Sequence, residues 1–377
     1  MKSYSHPGER FVEWGGLRSL SSILLKLHVN YPLIVTGKHA MKENGVLDTL
    51  IEELSEKKQN PSVYDKIQPN PTDESIQELI SFMDNSSTDG IIGLGGGSAL
   101  DCAKAAALLF NNRASPVQSH LRGEGEITHS ALPCVAVPTT SGTGSEVTPY
   151  VSFTEKTSNQ KFTFDHPFLI PRIALLDPEL TVTMPPYVTA CTGFDALGHA
   201  MEAYWSINHS PFSDTHALRA ARLIMLNLAG AVKEPTDYQY RLNMSIASCE
   251  AGLAIARTRT TAAHAASYSI TTQFSVPHGH AVALTLAEFF EFNESSMEAP
   301  RSNELADALG GSTVKDASNR VRILMDECVL QRKLQKLDIP SDAIEMLVSS
   351  GFRPDRVKNN PRKVTEQDLR EIFLKIY

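Results

Sequence analysis

The chain has 377 residues, 42% hydrophobic and 21% charged, enough apolar material for two packed cores. Its 35 Lys and Arg stand against 43 Asp and Glu, a formal charge of −8 with no dense basic stripe, which argues against a nucleic-acid partner. The five cysteines are widely spaced with no CxxC, no apolar run reaches membrane-spanning length, and the start MKSYSHPGERFVEWGG lacks a signal-peptide stretch; a cytoplasmic chain without disulfides or a membrane segment is expected.

In chain order, residues 31–36 (YPLIVT) form a short, branched, apolar strand candidate closed by Gly37. From Ala40 to Lys58 the spacing turns helical, with Leu47, Leu50, Ile51 and Leu54 on one stripe, and Ile76, Leu79, Ile80 and Met83 repeat the pattern over residues 73–84. Strand candidates follow at 90–94, 133–137 and 173–176, with a helix predicted over 99–110 and a surface loop over 111–132. Strands alternating with helices imply crossover connections and a largely parallel sheet. After Asp177-Pro178 the texture changes. Residues 188–205, 214–230, 241–257, 281–292, 300–309, 318–331 and 341–349 carry helical periodicity, so the predicted division is an α/β domain over 1–178 and an all-helical domain over 179–377.

Two polar turns follow buried strands. In Gly95-Gly96-Gly97-Ser98 the missing side chains let a backbone approach a diphosphate, whose oxygens the free amides of the next helix can bind. The second turn, residues 139–146 (TTSGTGSE), offers hydroxyls and glycines to a nucleotide without adding charge. A tight packing turn and a solvated loop would leave the same letters. Two such turns at adjacent strand ends nonetheless describe the crevice where open sheets bind ligands.

Asp195 and His199 are four residues apart, so on a helix both side chains leave one face. His264 and His278 lie in alanine-rich, apolar stretches. A histidine on such a face can be an ordinary core residue, but three imidazoles and a carboxylate make a coordination set suited to Fe2+ or Zn2+ rather than calcium or magnesium. His280, two residues beyond His278, does not share its face on a helix and reads as pocket lining or support. Cys191 reads as packing.

These pieces resemble the iron-containing (group III) alcohol dehydrogenase family: GGGSALDCAK at 95–104, PTTSGTGSE at 138–146, DPEL at 177–180, TGFDALGHAMEAY at 192–204 and PHGHAVAL at 277–284, in the family's order. The resemblance implies a Rossmann-like N-terminal domain with a parallel sheet, an all-helical C-terminal domain and a dehydroquinate synthase-like architecture. It places iron on Asp195, His199, His264 and His278. It sets Gly95, Gly96, Gly97 and Ser98 at the cofactor diphosphate, and Thr139, Thr140, Thr143 and Ser145 toward the nicotinamide half. Asp101 and Lys104 look like its GGGSxxDxxK pair.

Two positions depart from the pattern. Where relatives carry an acidic residue after the second strand, this chain has Gly37-Lys38-His39; losing that carboxylate removes a repulsion against a 2′-phosphate, so NADPH is expected to be accepted beside NADH. Where many relatives carry a proton-relay histidine, this chain has Tyr268, a poorer base near neutrality, leaving water, a ribose hydroxyl or His280 to carry the proton. The stretch from Arg257 to Leu286 looks closest to the branch that reduces phosphonoacetaldehyde. Arg257 and Arg259 match a phosphonate or sulfonate head, with sulfoacetaldehyde the nearest rival. The expectation is a homodimeric aldehyde reductase acting on a small anionic substrate. Alternatives are a general short-chain or polyol alcohol dehydrogenase, a dehydroquinate synthase-like lyase, and a non-catalytic metal-binding protein.

Overall fold

The run Leu33-Ile34-Val35 shows how the first half is built: Leu33 and Val35 join one buried cluster, and Ile34 joins another. Side chains alternate across a strand, so a continuous apolar run must be buried on both faces. The computed structural model describes residues 8–158 and 160–377. The first seven residues of the opening segment, read above as no signal peptide, lie outside the described residues.

Among the described residues, one sheet has six parallel strands in the order β1-β8-β5-β4-β2-β3: β1 (Glu9–Val12), β2 (Pro32–Gly37), β3 (Ser62–Ile67), β4 (Gly90–Gly95), β5 (Cys134–Pro138) and β8 (Ile173–Leu176). The intervening strands, β6 (Tyr150–Glu155) and β7 (Gln160–Asp165), form a separate antiparallel hairpin, on which Phe153 stacks against Phe162. Chain order reverses beside β2: β3 lies on one side of it and β4 on the other. Open α/β sheets bind ligands outside the carboxyl ends of strands at such a reversal.

The predicted helix over 40–58 is interrupted. A four-residue turn of helix ends before Gly45, whose φ is 78°, and α1 (Val46–Glu56) begins there. Helix α2 (Asp73–Met83) starts with a capping box between Thr72 and Ser75, and α3 (Gly97–Leu109) starts directly at the glycine turn. The predicted loop over 111–132 contains a short helix, Val117–Leu121.

The second unit is helical. Helices α4 (Pro186–Trp205), α5 (Pro211–Lys233), α6 (Tyr238–Thr258), α7 (Ala262–Phe274) and α8 (His278–Asn293) share one buried cluster, followed by the shorter helices Ala299–Ala308, Val314–Glu327, Ile344–Gly351 and Glu366–Lys375. Helix α7 has little amphipathic period because alanines fill its faces; it folds as a helix because it is buried nearly all round.

The chain separates into Met1–Thr140 with Ser145–Thr183, and Ser141–Gly144 with Met184–Tyr377. The division thus falls a few residues beyond the expected 178, and one four-residue segment inside the polar turn belongs to the helical unit. Its packing there is tight: a Cβ on Gly144 would lie 2.4 Å from Gly252 Cα, and Ser141 Oγ is 3.3 Å from Ser245 Oγ.

Candidate metal centre and cofactor turn

Helix α4 carries Asp195, His199 and Glu202, spaced so that all three leave one face. His264 sits in the first turn of α7 and His278 is the first residue of α8. Asp195 Oδ1 is 3.4 Å from His264 Nε2, 3.7 Å from His278 Nε2 and 4.0 Å from His199 Nε2. Donor atoms of Asp195, His199 and His264 all lie within 4.8 Å of one another. The His199 and His264 rings stack at 4.7 Å between centroids, and His278 meets His264 edge-on at 5.4 Å. The predicted quartet therefore converges, His278 being its most exposed member at 27%.

Asp195 Oδ1 and His264 Nε2, buried and facing each other, complete no hydrogen bond, and neither does His199 Nδ1. Burying such atoms without a partner is costly, and a divalent cation held by Asp195 and His264 would remove that cost. Burial pushes the Asp195 carboxyl up, but His199, His264 and His278 outweigh it and hold it well below the usual carboxylate range. Burial pushes His264 down, yet Glu202 and Asp195 raise it to about 10. Here the imidazolium is the positive charge the carboxylates demand, and a divalent ion would supply that charge instead. Three nitrogens and one carboxylate oxygen fit Fe2+ or Zn2+.

The far ring nitrogens of His264 and His278 are held. His264 Nδ1 bonds to Glu202 Oε2. Ser267 Oγ donates to the His264 carbonyl at 2.7 Å, so its lone pair faces His278 Nδ1 at 3.4 Å. Both contacts leave Nε2 to the centre. Helix α8 is seated by Gly279, where a Cβ would fall 1.8 Å from the Cys191 carbonyl oxygen, a distance only glycine permits.

His280, one of the expected proton carriers, and Tyr268, the poorer base at the relay position, each have defined neighbours. His280 Nε2 donates to the Gln331 carbonyl at 2.7 Å, so its Nδ1 accepts from the Tyr187 hydroxyl at 3.0 Å. Burial holds the ring below its ordinary pKa, opposed by that carbonyl. Tyr268 stacks nearly parallel on His278 at 5.6 Å, with the Arg353 guanidinium 5.5 Å over its ring. Arg257 is exposed on the last turn of α6. Arg259, half-buried, closes that helix at φ 60°, ψ 165°, a region that costs a non-glycine residue about 1–3 kcal/mol. Neighbouring side chains clamp it: Ser206 and Asn208 bond the Thr258 carbonyl, and Asn359 bonds that of Thr260.

In the first unit, the glycine turn ends β4. Gly95 has φ 153°, and Gly96 caps α3 without any side-chain hydrogen bond, leaving the helix amides of Gly97 and Ser98 open to an anion. Thr139 N bonds the Gly95 carbonyl at 3.0 Å, and the Thr140 side chain lies 3.5 Å from where a Gly96 Cβ would sit, so both threonines flank the turn. Thr143 lies in the segment grouped with the helical unit. Gly37 ends the adjacent strand β2; Lys38 is exposed, while His39 is paired with Glu43 at 3.1 Å.

Asp101 and Ser145 take part in one network with Lys104. Asp101 accepts from Ser145 Oγ at 2.5 Å and Ser152 N at 2.9 Å. The buried Lys104 ammonium bonds Ser145 O and Oγ, Thr148 Oγ1 and the Tyr150 carbonyl. These bonds hold residues 145–152.

Residues 7–178 match the family model "Iron-containing alcohol dehydrogenase", and residues 189–377 match "Fe-containing alcohol dehydrogenase family, C-terminal". Long-chain-alcohol dehydrogenase 1 of Geobacillus thermodenitrificans is 34% identical over 372 residues, covering 96% of this chain and 93% of its own. Sulfoacetaldehyde reductase from Bifidobacterium kashiwanohense, solved in complex with NAD+, superposes with a TM-score of 0.93 at 30% identity, covering 100% of this chain and 98% of that one. An iron-containing alcohol dehydrogenase from Thermotoga maritima gives 0.85 at 32%, covering 100% and 99%.

Proposed function

We propose that this chain, which belongs to the iron-containing alcohol dehydrogenase family and is a metal-dependent, NAD(P)-linked oxidoreductase, reduces a small aldehyde with an anionic head group to its primary alcohol. The observation that carries the substrate class is the likeness, over essentially the whole of both chains, to a sulfoacetaldehyde reductase. It favours a sulfonate head over the phosphonate preferred from sequence. Arg259 supports the same class: a strained backbone is retained where its side chain is needed, and a guanidinium suits a sulfonate.

In this reading Asp195, His199, His264 and His278 hold the ion. When bound, the ion draws charge from the substrate oxygen, and the reduced nicotinamide supplies hydride. The glycine turn and the open end of α3 hold the cofactor diphosphate, with Thr139, Thr140 and Thr143 toward its nicotinamide half. Lys38 gives an exposed positive charge at the end of β2 for a 2′-phosphate, while Glu43 offsets His39 beside it; both NADH and NADPH are accepted. His280, with both nitrogens engaged, holds the Tyr187 hydroxyl rather than carrying a proton, Tyr268 braces His278, and water supplies the proton to the product.

The test compares kcat/KM for sulfoacetaldehyde, phosphonoacetaldehyde, glycolaldehyde and propanal with both reduced cofactors. Sulfoacetaldehyde should lead by about tenfold or more, as a charge-assisted contact implies. Equal efficiencies would sink the anionic-head reading in favour of a general alcohol dehydrogenase, which the likeness to a long-chain-alcohol dehydrogenase supports. Turnover without net nicotinamide oxidation would point to lyase chemistry instead.

A further inference from the structure

Glu202 belongs to no ligand set, yet it is fully buried beside the centre. Its Oε1 accepts from Thr261 N at 3.1 Å, Thr261 Oγ1 at 2.6 Å, Ala263 N at 2.9 Å and His264 N at 3.2 Å, while Oε2 bonds His264 Nδ1. The Thr261 hydroxyl, having given its proton to Glu202, accepts one from Trp205 Nε1 at 2.8 Å. The carboxylate thus grips both the backbone entering α7 and the ring that this backbone carries.

We infer that Glu202 is a positioning residue for the metal centre, fixing His264 in the tautomer that can ligate and balancing the charge of a buried divalent ion. The inference rests on the metal-centre reading above. A carboxylate is acceptor-only, so its Oε2 requires a proton on Nδ1; once the His264 ring is neutral its lone pair is therefore on Nε2, the atom 3.4 Å from Asp195 Oδ1. The grip of Oε1 on the first turn of α7 stops the ring from being carried elsewhere. Charge points the same way: neutral imidazoles with Asp195 alone would leave a dication site with a net +1, and a second buried carboxylate brings it to zero.

A rival account makes Glu202 only the N-terminal anchor of α7. Glu202→Gln separates the two, because the amide oxygen can still accept from Thr261, Ala263 and His264 N, while its NH2 group must face Nδ1 and drive the proton to Nε2. The experiment measures affinity for Zn2+ and Co2+ by competition with a chromophoric chelator, records the visible spectrum of the Co2+ form, and follows thermal unfolding of the metal-free proteins. Glu202→Gln should bind both ions about 10–100-fold more weakly with an altered Co2+ spectrum, and NADH binding should be unchanged.

Wild-type affinity and spectrum in Glu202→Gln, with only a lowered Tm, would overturn the inference in favour of the anchor. If Glu202→Gln does not fold, Glu202→Asp takes its place, since a carboxylate withdrawn by one methylene loses Nδ1; unchanged affinity there overturns it equally. His264→Ala is the control. If that variant also keeps wild-type affinity, the metal-centre reading fails; if it loses metal while Glu202→Gln does not, only the present inference does.

Discussion

Two buried polar clusters, one in each unit, are built from similar parts and finished differently. Around Lys104, the ammonium and Asp101 find complementary groups on residues 145–152. Around Asp195, supporting atoms such as Glu202 Oε1 are satisfied, while Asp195 Oδ1 and His264 Nε2 face each other without a completed bond. A closed network fixes a backbone; a network left open at its centre is a receptacle. Charge and burial do not separate the two, since both are charged and buried. Satisfaction does.

The largest expected effect tests the open cluster. Asp195→Asn should lower turnover by at least about 10³-fold and abolish metal retention, with NADH affinity preserved, measured by metal analysis, kinetics and fluorescence titration. Full activity without metal would remove the distinction altogether. Next comes the closed cluster: Lys104→Met leaves the partly buried Asp101 without its cation and the groups around the ammonium without their donor, and should cost about 3 kcal/mol in chemical denaturation. Metal content per folded molecule should stay at the wild-type level; parallel loss of metal would show that the clusters are not independent.

Glu146, beside the closed cluster, sharpens the comparison through pH. Burial raises its carboxyl to about 7 from 4.5, although Lys104 opposes the shift, and its Oε1 has no hydrogen-bond partner. A carboxyl raised in the folded state favours the fold while protonated, so stability should fall as pH rises from about 4.5 through about 7, by on the order of 3 kcal/mol in total. Glu146→Gln should flatten that slope; an unchanged slope between pH 4.5 and 8 would assign it to other groups. The smallest effect is at Arg259. Arg259→Gly should raise stability by about 1 kcal/mol by relieving the backbone, while sulfoacetaldehyde loses its kcat/KM advantage over propanal. A variant that gains stability and keeps that advantage would show the strain to be unconnected with the anion.

How far each feature could be read beforehand follows from how local its cause is. Asp195 and His199 were legible because four-residue spacing on a helix puts both on one face. Glu202 continues that face within the quoted TGFDALGHAMEAY run, but a helical glutamate reads as a solvated charge until its burial is known. The strands between 31 and 37 and between 90 and 95 announced themselves by unbroken apolar runs. The hairpin of β6 and β7 did not, because its strands alternate partly exposed residues and hold Thr, Ser, Gln and Lys. Asp101 and Ser145 stand in two motifs 44 positions apart, and only the fold shows that they bond to each other.

The sequence by itself determined that its strongly periodic segments would be strand or helix, that an α/β half would precede a helical one, and which side chains could ligate a metal. Those properties depend on periodicity, residue chemistry and neighbours a turn away. The tertiary structure alone decided that His264 and His278 meet Asp195, that Glu202 holds the ring, that Lys104 is closed off, and that Ser141–Gly144 groups with the helices. These outcomes depend on which distant groups share a space without water, where a partner found or lacking changes the free energy most.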